Sequence, residues 1–69
     1  MKLSARNVIK GTIQKIVVGA VNCEVILVTG KGETIVSVIT KESVESLGLK
    51  EGGEAYAVIK ASNVMIAVE

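Results

Sequence analysis

Two short polar stretches hold most of the chemistry this sequence offers. Ser4-Ala5-Arg6-Asn7 stands just before the first apolar run, and Lys60-Ala61-Ser62 stands between the last two. Each supplies a cation, a hydroxyl and backbone N–H groups. Arg and Lys only donate, and a serine hydroxyl can turn its proton outward, so the set is rich in donors. A tetrahedral oxyanion requires such donors and no acceptors. On composition alone, Arg6 and Lys60 also read as ordinary solvated charges, the common state of basic side chains.

Catalysis has little to work with. The chain contains no His and no Asp, and no nucleophile stands beside a plausible base, so no triad can form. The Glu residues fall mostly in turns, in the helical segment or at the terminus, where carboxylates are normally solvated. Cys23 shares the apolar parity of its strand and reads as a buried, inert thiol. One Cys and scattered Glu cannot build a zinc cage, so no side chain is expected to bind a metal ion directly. Gly30-Lys31-Gly32 lacks the full glycine pattern, the Lys-Ser/Thr ending and the following helix of a phosphate loop.

The elements that must position these residues are mostly strands. With no Pro, glycine supplies the punctuation. The first run, Val8 to Val18, carries Ile9, Gly11 and Ile13 on one parity but Ile16 and Val18 on the other. A strand cannot switch faces without an extra residue, so a bulge or strand end is expected near Gln14-Lys15. Gly19-Ala20 marks a turn. In the second strand, Val21 to Thr29, the residues Val21, Cys23, Val25 and Leu27 share a face. Gly30-Lys31-Gly32 signals a tight hairpin into a third strand, Glu33 to Ile39. Thr40 through Leu49 is the one helical signal: Thr40 can cap it, Glu42 suits the first turn, and Gly48 fits the position past its end. Val44 and Leu47 are expected on one face, with Leu49 folding back onto Val44. After the turn Lys50-Glu51-Gly52-Gly53, a fourth strand runs from Glu54 to Lys60 and a fifth from Asn63 to Val68. The expected fold is all-β: a five-stranded OB-like barrel with one short helix between strands three and four.

Size bears on how such a barrel survives. At 69 residues the chain is expected to be a single domain, 1–69, and a monomer this small is only marginally stable. No internal disulfide or zinc cage can support it. Hydrophobic residues make up 49% of the chain, mostly Val and Ile lying on both faces of strands; the surplus implies an interface between copies. A net charge of +1 excludes strong global attraction to nucleic acid or an anionic membrane. The aromatic platform on which OB-type barrels stack bases is missing, since Tyr56 is the only aromatic residue. No apolar stretch approaches the length of a transmembrane helix. The N-terminus lacks the apolar core of a signal peptide, and the lone Cys fits a reducing cytoplasm.

Four segments, in order, resemble one family. Ser4-Ala5-Arg6-Asn7 through Lys10-Gly11 is similar to the opening of the molbindins, the free-standing form of the Mop domain (TOBE type). Gly19-Ala20-Val21-Asn22-Cys23-Glu24-Val25 resembles their middle segment. Ser43-Val44 with Leu47-Gly48-Leu49-Lys50-Glu51-Gly52 is similar to their helix and following turn. Ala57 through Ala67, with Ile59-Lys60-Ala61-Ser62 and Val64-Met65, resembles their closing segment. The resemblance implies a cytoplasmic, non-enzymatic protein with an OB-like barrel, assembled as a homohexamer described as a trimer of dimers. It implies that molybdate or tungstate binds between subunits, with no organic cofactor. Carried over by position, the oxyanion donors are Ser4, Arg6, Lys60 and Ser62, with backbone groups around Ala5 and Ala61. A second class of site, near a threefold axis, draws on Gly19, Ala20, Val21 and Asn22.

Two functions of different class follow. One is intracellular storage or homeostasis of molybdate or tungstate. The other is a regulatory or interaction module of a molybdate transport or response system. Mop-like domains of that second kind accompany an ATPase or a DNA-binding region, and this sequence carries neither motif, so storage is the favoured expectation.

Overall fold

Strand alternation and one extra residue shape the sheet. The computed structural model describes all of residues 1–69. Strand β1 spans Asn7–Val18, β2 Asn22–Thr29, β3 Thr34–Thr40 and β4 Glu54–Ile59. They form one antiparallel sheet in the order β3-β2-β1-β4, curled into a half-barrel. A six-residue helix, α1 (Lys41–Ser46), follows β3, and a 3-10 turn, Ala61–Asn63, follows β4.

The expected bulge is present. Gly11, Thr12 and Ile13 pair with Thr29, Val28 and Leu27, whereas Lys15 pairs with Ile26, so Gln14 is the additional residue. Ile13 and Ile16 both turn inward across it, which a straight strand forbids. Beyond Thr12, β1 leaves β4 and bonds to the preceding turn. The Ile13 amide donates to the Gly53 carbonyl and the Gly52 amide to that of Ile13, both at 2.8 Å. The Ile16 amide then donates to Glu51 Oε2 at 3.0 Å. Gly11 sits where the sheet is tightest: a Cβ there would meet the Val28 carbonyl oxygen at 2.9 Å.

The core is small. Ile13, Val25 and Leu27 form its centre, with Ile16, Ile35, Ile39, Val44, Leu49, Ala55 and Ala57 packed around them. Cys23 is also buried, at 1% exposure. Helix α1 closes one end. Thr40 Oγ1 accepts from the Ser43 amide at 3.1 Å, the expected cap. At the other end the Gly48 amide donates to the Glu45 carbonyl and the Leu49 amide to that of Val44, both at 3.1 Å, which is the paired bonding of a Schellman motif.

Four expectations change. Val21 lies in the turn before β2, and Lys60 lies just past β4. Leu47 does not join Val44 on the core; it is 68% exposed at the C-cap, on the rim of a groove. The largest difference is the fifth strand. The 3-10 turn over Ala61–Asn63 redirects the chain, and Val64–Glu69 pairs with nothing. Met65, Ile66 and Val68 are 93%, 87% and 92% exposed. The sheet therefore stays open, with β3 and β4 as unpaired edges. Between them runs a groove of about 540 Å³, lined mainly by apolar residues including Leu27, Ile35, Ile39, Ala57 and Ile59.

Candidate functional site

The β1–β4 ladder brings the two polar stretches to one place. Its last pair is Asn7 opposite Ile59. Arg6 and Lys60 each stand one residue beyond that pair, Ala5 and Ala61 two, and Ser4 and Ser62 three. Both segments thus leave the same end of the sheet together. Asn7 ties them where they part: its Nδ2 donates to the Ile59 carbonyl at 3.1 Å.

Donors dominate this end. Neither Arg6 nor Lys60 pairs with a carboxylate; the ion pair of the chain is Lys10 with Glu54, at 3.3 Å on the surface. In the 3-10 turn, the Asn63 amide donates to the Lys60 carbonyl at 2.8 Å and the Val64 amide to the Ala61 carbonyl at 3.3 Å. The turn consumes acceptors and leaves the amides of Ala61 and Ser62 without partners in the chain. Two cations without carboxylate partners leave this strand end with local positive charge, beside hydroxyls that can donate. Within one chain the arrangement is an open shelf: Ser4, Arg6, Lys60 and Ser62 are all exposed, and none of them lines a cavity.

The second candidate set lies at the far end of β1. Gly19, Ala20, Val21 and Asn22 form the β1–β2 turn, closed by the Gly19 amide donating to the Asn22 carbonyl at 2.9 Å. A Cβ on Gly19 would stand 2.6 Å from that carbonyl oxygen, so only glycine fits without movement of the turn. The structure does not bring this set together with the first.

Two neighbours escaped the sequence reading. The Lys41 amide donates to the Val21 carbonyl at 2.8 Å, which places a lysine of α1 beside a turn that has no cation of its own. The signal for it is the pairing of Thr40 with Asn22, visible only once β2 and β3 are in register. Asn7 was part of the opening motif, but its clamp on Ile59 needs the β1–β4 pairing to be seen. Elsewhere, Cys23 is a free, buried thiol. No group of three His, Cys, Asp or Glu side chains is placed to hold a metal ion. No helix is long and apolar enough to cross a membrane.

The fold and the polar end of its β1–β4 ladder define a small half-barrel with a donor-rich strand end. Comparison with known proteins identifies its family. The TOBE domain model matches residues 3–66. Molybdenum-pterin-binding protein 1 of Clostridium pasteurianum is 47% identical over 66 residues, covering 96% of this chain and 97% of that one. The molybdate-binding protein of Sporomusa ovata superposes with a TM-score of 0.93 at 34% identity, over 99% of this chain and all of that one. The cytoplasmic molybdate-binding protein ModG, solved with molybdate bound, superposes with a TM-score of 0.91 at 55% identity, over 94% of this chain and 46% of that one. The chain belongs to the TOBE-domain family, in its molbindin (Mop) branch, a family of binding proteins rather than enzymes.

Proposed function

We propose that this protein binds molybdate or tungstate at sites shared between copies of itself, for storage or homeostasis of the oxyanion in the cytoplasm. The observation that carries this reading is the convergence of Arg6 and Lys60, both without carboxylate partners, at one end of the β1–β4 ladder. Ser4, Ser62 and the backbone around Ala5 and Ala61 complete the donor set. The relatives named above are described as binding molybdate or molybdenum-pterin, and ModG as cytoplasmic. A dianion with four oxygens takes several charge-assisted hydrogen bonds, each worth about 1.5–3 kcal/mol net. A few of these, less ordering costs, reach roughly micromolar affinity. The Gly19–Asn22 turn is a second class of site.

The chain acts as one Mop domain, 1–69, within a homohexamer built as a trimer of dimers. Only 5 of 69 residues are buried in the lone chain, too few for a stable monomer. The unpaired Val64–Glu69 tail and the apolar slot between β3 and β4 complement each other in length and character, so a second copy's tail can complete the sheet. Apolar residues exposed on the outer sheet face, Val36 and Val38 at one end and Val8 and Val58 at the other, provide further contacts. Seating the shelf of Ser4, Arg6, Lys60 and Ser62 against another subunit excludes water and strengthens each contact with the anion.

Native mass spectrometry with and without molybdate tests the reading. A hexamer that gains discrete oxyanion masses supports it. A monomer, or a hexamer that takes up no molybdate or tungstate, refutes storage and favours a regulatory or purely structural module.

A further inference from the structure

We infer that Asn7 is a positioning residue of the oxyanion site, holding the Lys60 segment against the Arg6 segment through its side-chain amide. This rests on the site proposed above and names a residue that site does not include. Asn7 occupies the last pair of the β1–β4 ladder, directly before Arg6, and Ile59 directly precedes Lys60. Its half-buried side chain crosses that gap, with Nδ2 donating to the Ile59 carbonyl at 3.1 Å across 52 residues of sequence. No other side-chain hydrogen bond joins the first seven residues to Ile59–Asn63.

The need for such a clamp is physical. Beyond the Asn7–Ile59 pair the two segments lose the backbone ladder, and each carries a cation one residue past that pair. Like charges push apart strand ends that have nothing else to hold them. A bound dianion reverses that repulsion, but only if both segments are already in place when it arrives; otherwise ordering them reduces the affinity. The amide fixes one segment on the other without adding a charge. It also occupies a lone pair of the Ile59 carbonyl, the main-chain acceptor directly before Lys60.

Titration calorimetry with sodium molybdate on the full chain tests this through a double-mutant cycle of Asn7→Ala and Lys60→Ala, with Arg6→Ala as a control on the site itself. One hydrogen bond lost in positioning corresponds to about a fivefold weaker affinity for Asn7→Ala. The ligand-free oligomeric mass stays at the parent value, and the ligand-free melting temperature falls by no more than about 4–8 °C. In the Lys60→Ala background the same change weakens binding by less than about twofold, since the group being positioned is gone. Should Asn7→Ala melt before it can be titrated, Asn7→Leu keeps the branched shape, drops the amide and has the same expected effect. Additive penalties would show a merely structural role and overturn the inference, as would parent-like affinity in both Asn7 variants. If Arg6→Ala and Lys60→Ala themselves bind like the parent, the site assignment fails and the inference fails with it. Weakened binding in those two beside an unaffected Asn7→Ala removes the inference alone.

Discussion

The two ends of β1 are built on opposite principles. At the Asn7 end, two segments leave the ladder side by side and present side chains: Ser4, Arg6, Lys60 and Ser62, joined by one amide clamp. At the Val18 end, the chain doubles back on itself, and the Gly19–Asn22 turn is closed by backbone bonds to Asn22 and from Lys41. The first end is specified by side-chain charge and hydroxyls, with one side-chain amide joining its two segments. The second is conformationally fixed and nearly without charge, and apolar Val17, Val18 and Val21 stand exposed around it. A site made from side chains can lose one of them and keep its fold. A site made from main chain stands or falls with the turn itself.

The sharpest way to separate the two ends is to remove the tail, because only the Asn7 end continues into it. Truncation after Asn63 is expected to abolish the oligomer, leaving monomeric or aggregated chain by sedimentation velocity. An intact hexamer would show that the slot between β3 and β4 is closed some other way.

Next in size is ligand linkage. Molybdate at a hundredfold excess over its dissociation constant is expected to add about 2.7 kcal/mol per site to the stability of the assembly. Tungstate should act alike, and phosphate much less, because its retained proton finds few acceptors at the Asn7 end. Melting scans at matched ionic strength make the comparison, and equal shifts for phosphate and molybdate would reduce that end to a nonspecific cationic patch.

Arg6→Ala and Lys60→Ala should each cost about 1.5–3 kcal/mol of molybdate affinity, roughly tenfold or more, with circular dichroism unchanged. Parent-like titrations would dissolve the contrast between the ends. The smallest effect is the mirror case. Gly19→Ala would place a Cβ 2.6 Å from the Asn22 carbonyl oxygen, and should lower stability in denaturant melts by about 1 kcal/mol or more. Molybdate affinity at the Asn7 end should stay near the parent value. A large loss there instead would mean that the two ends are mechanically coupled.

What was legible in the sequence divides along the same line. The bulge at Gln14, the buried row Cys23-Val25-Leu27, the hairpin glycines, the Thr40 cap and the Gly48 terminus all follow from patterns spanning a few residues. Short-range sterics and alternation decide those features. The fifth strand did not follow, although Asn63 to Val68 has strand composition. Composition says that a segment is extended, but not which edge it meets, and the Ala61–Asn63 turn carries it away from its own sheet. Leu47 differs for another reason: it keeps helical backbone and its amide donates to the Ser43 carbonyl at 3.0 Å, but the short helix packs Val44 on the core and leaves Leu47 on the rim of the groove. The candidate site lay in between. Arg6 and Lys60 could be named from residue type and family resemblance, but their adjacency depends on the β1–β4 register. The same register hid the role of Asn7, and that of β2 with β3 hid the place of Lys41.

The bulge at Gln14 has a consequence for what β1 tolerates. Counting partners, Ile13 faces Leu27 and Lys15 faces Ile26, so the two halves of the strand are in phase with β2 once Gln14 is set aside. A chain lacking Gln14 would keep Ile13 and Ile16 inward and every β1–β2 pair intact. What it would lose is curvature, and with it the departure from β4 that lets the Ile16 amide reach Glu51. Residue number and residue pattern are thus decoupled at this point: Gln14 contributes nothing to the hydrophobic code, and its presence is read out only as the bend of the wall.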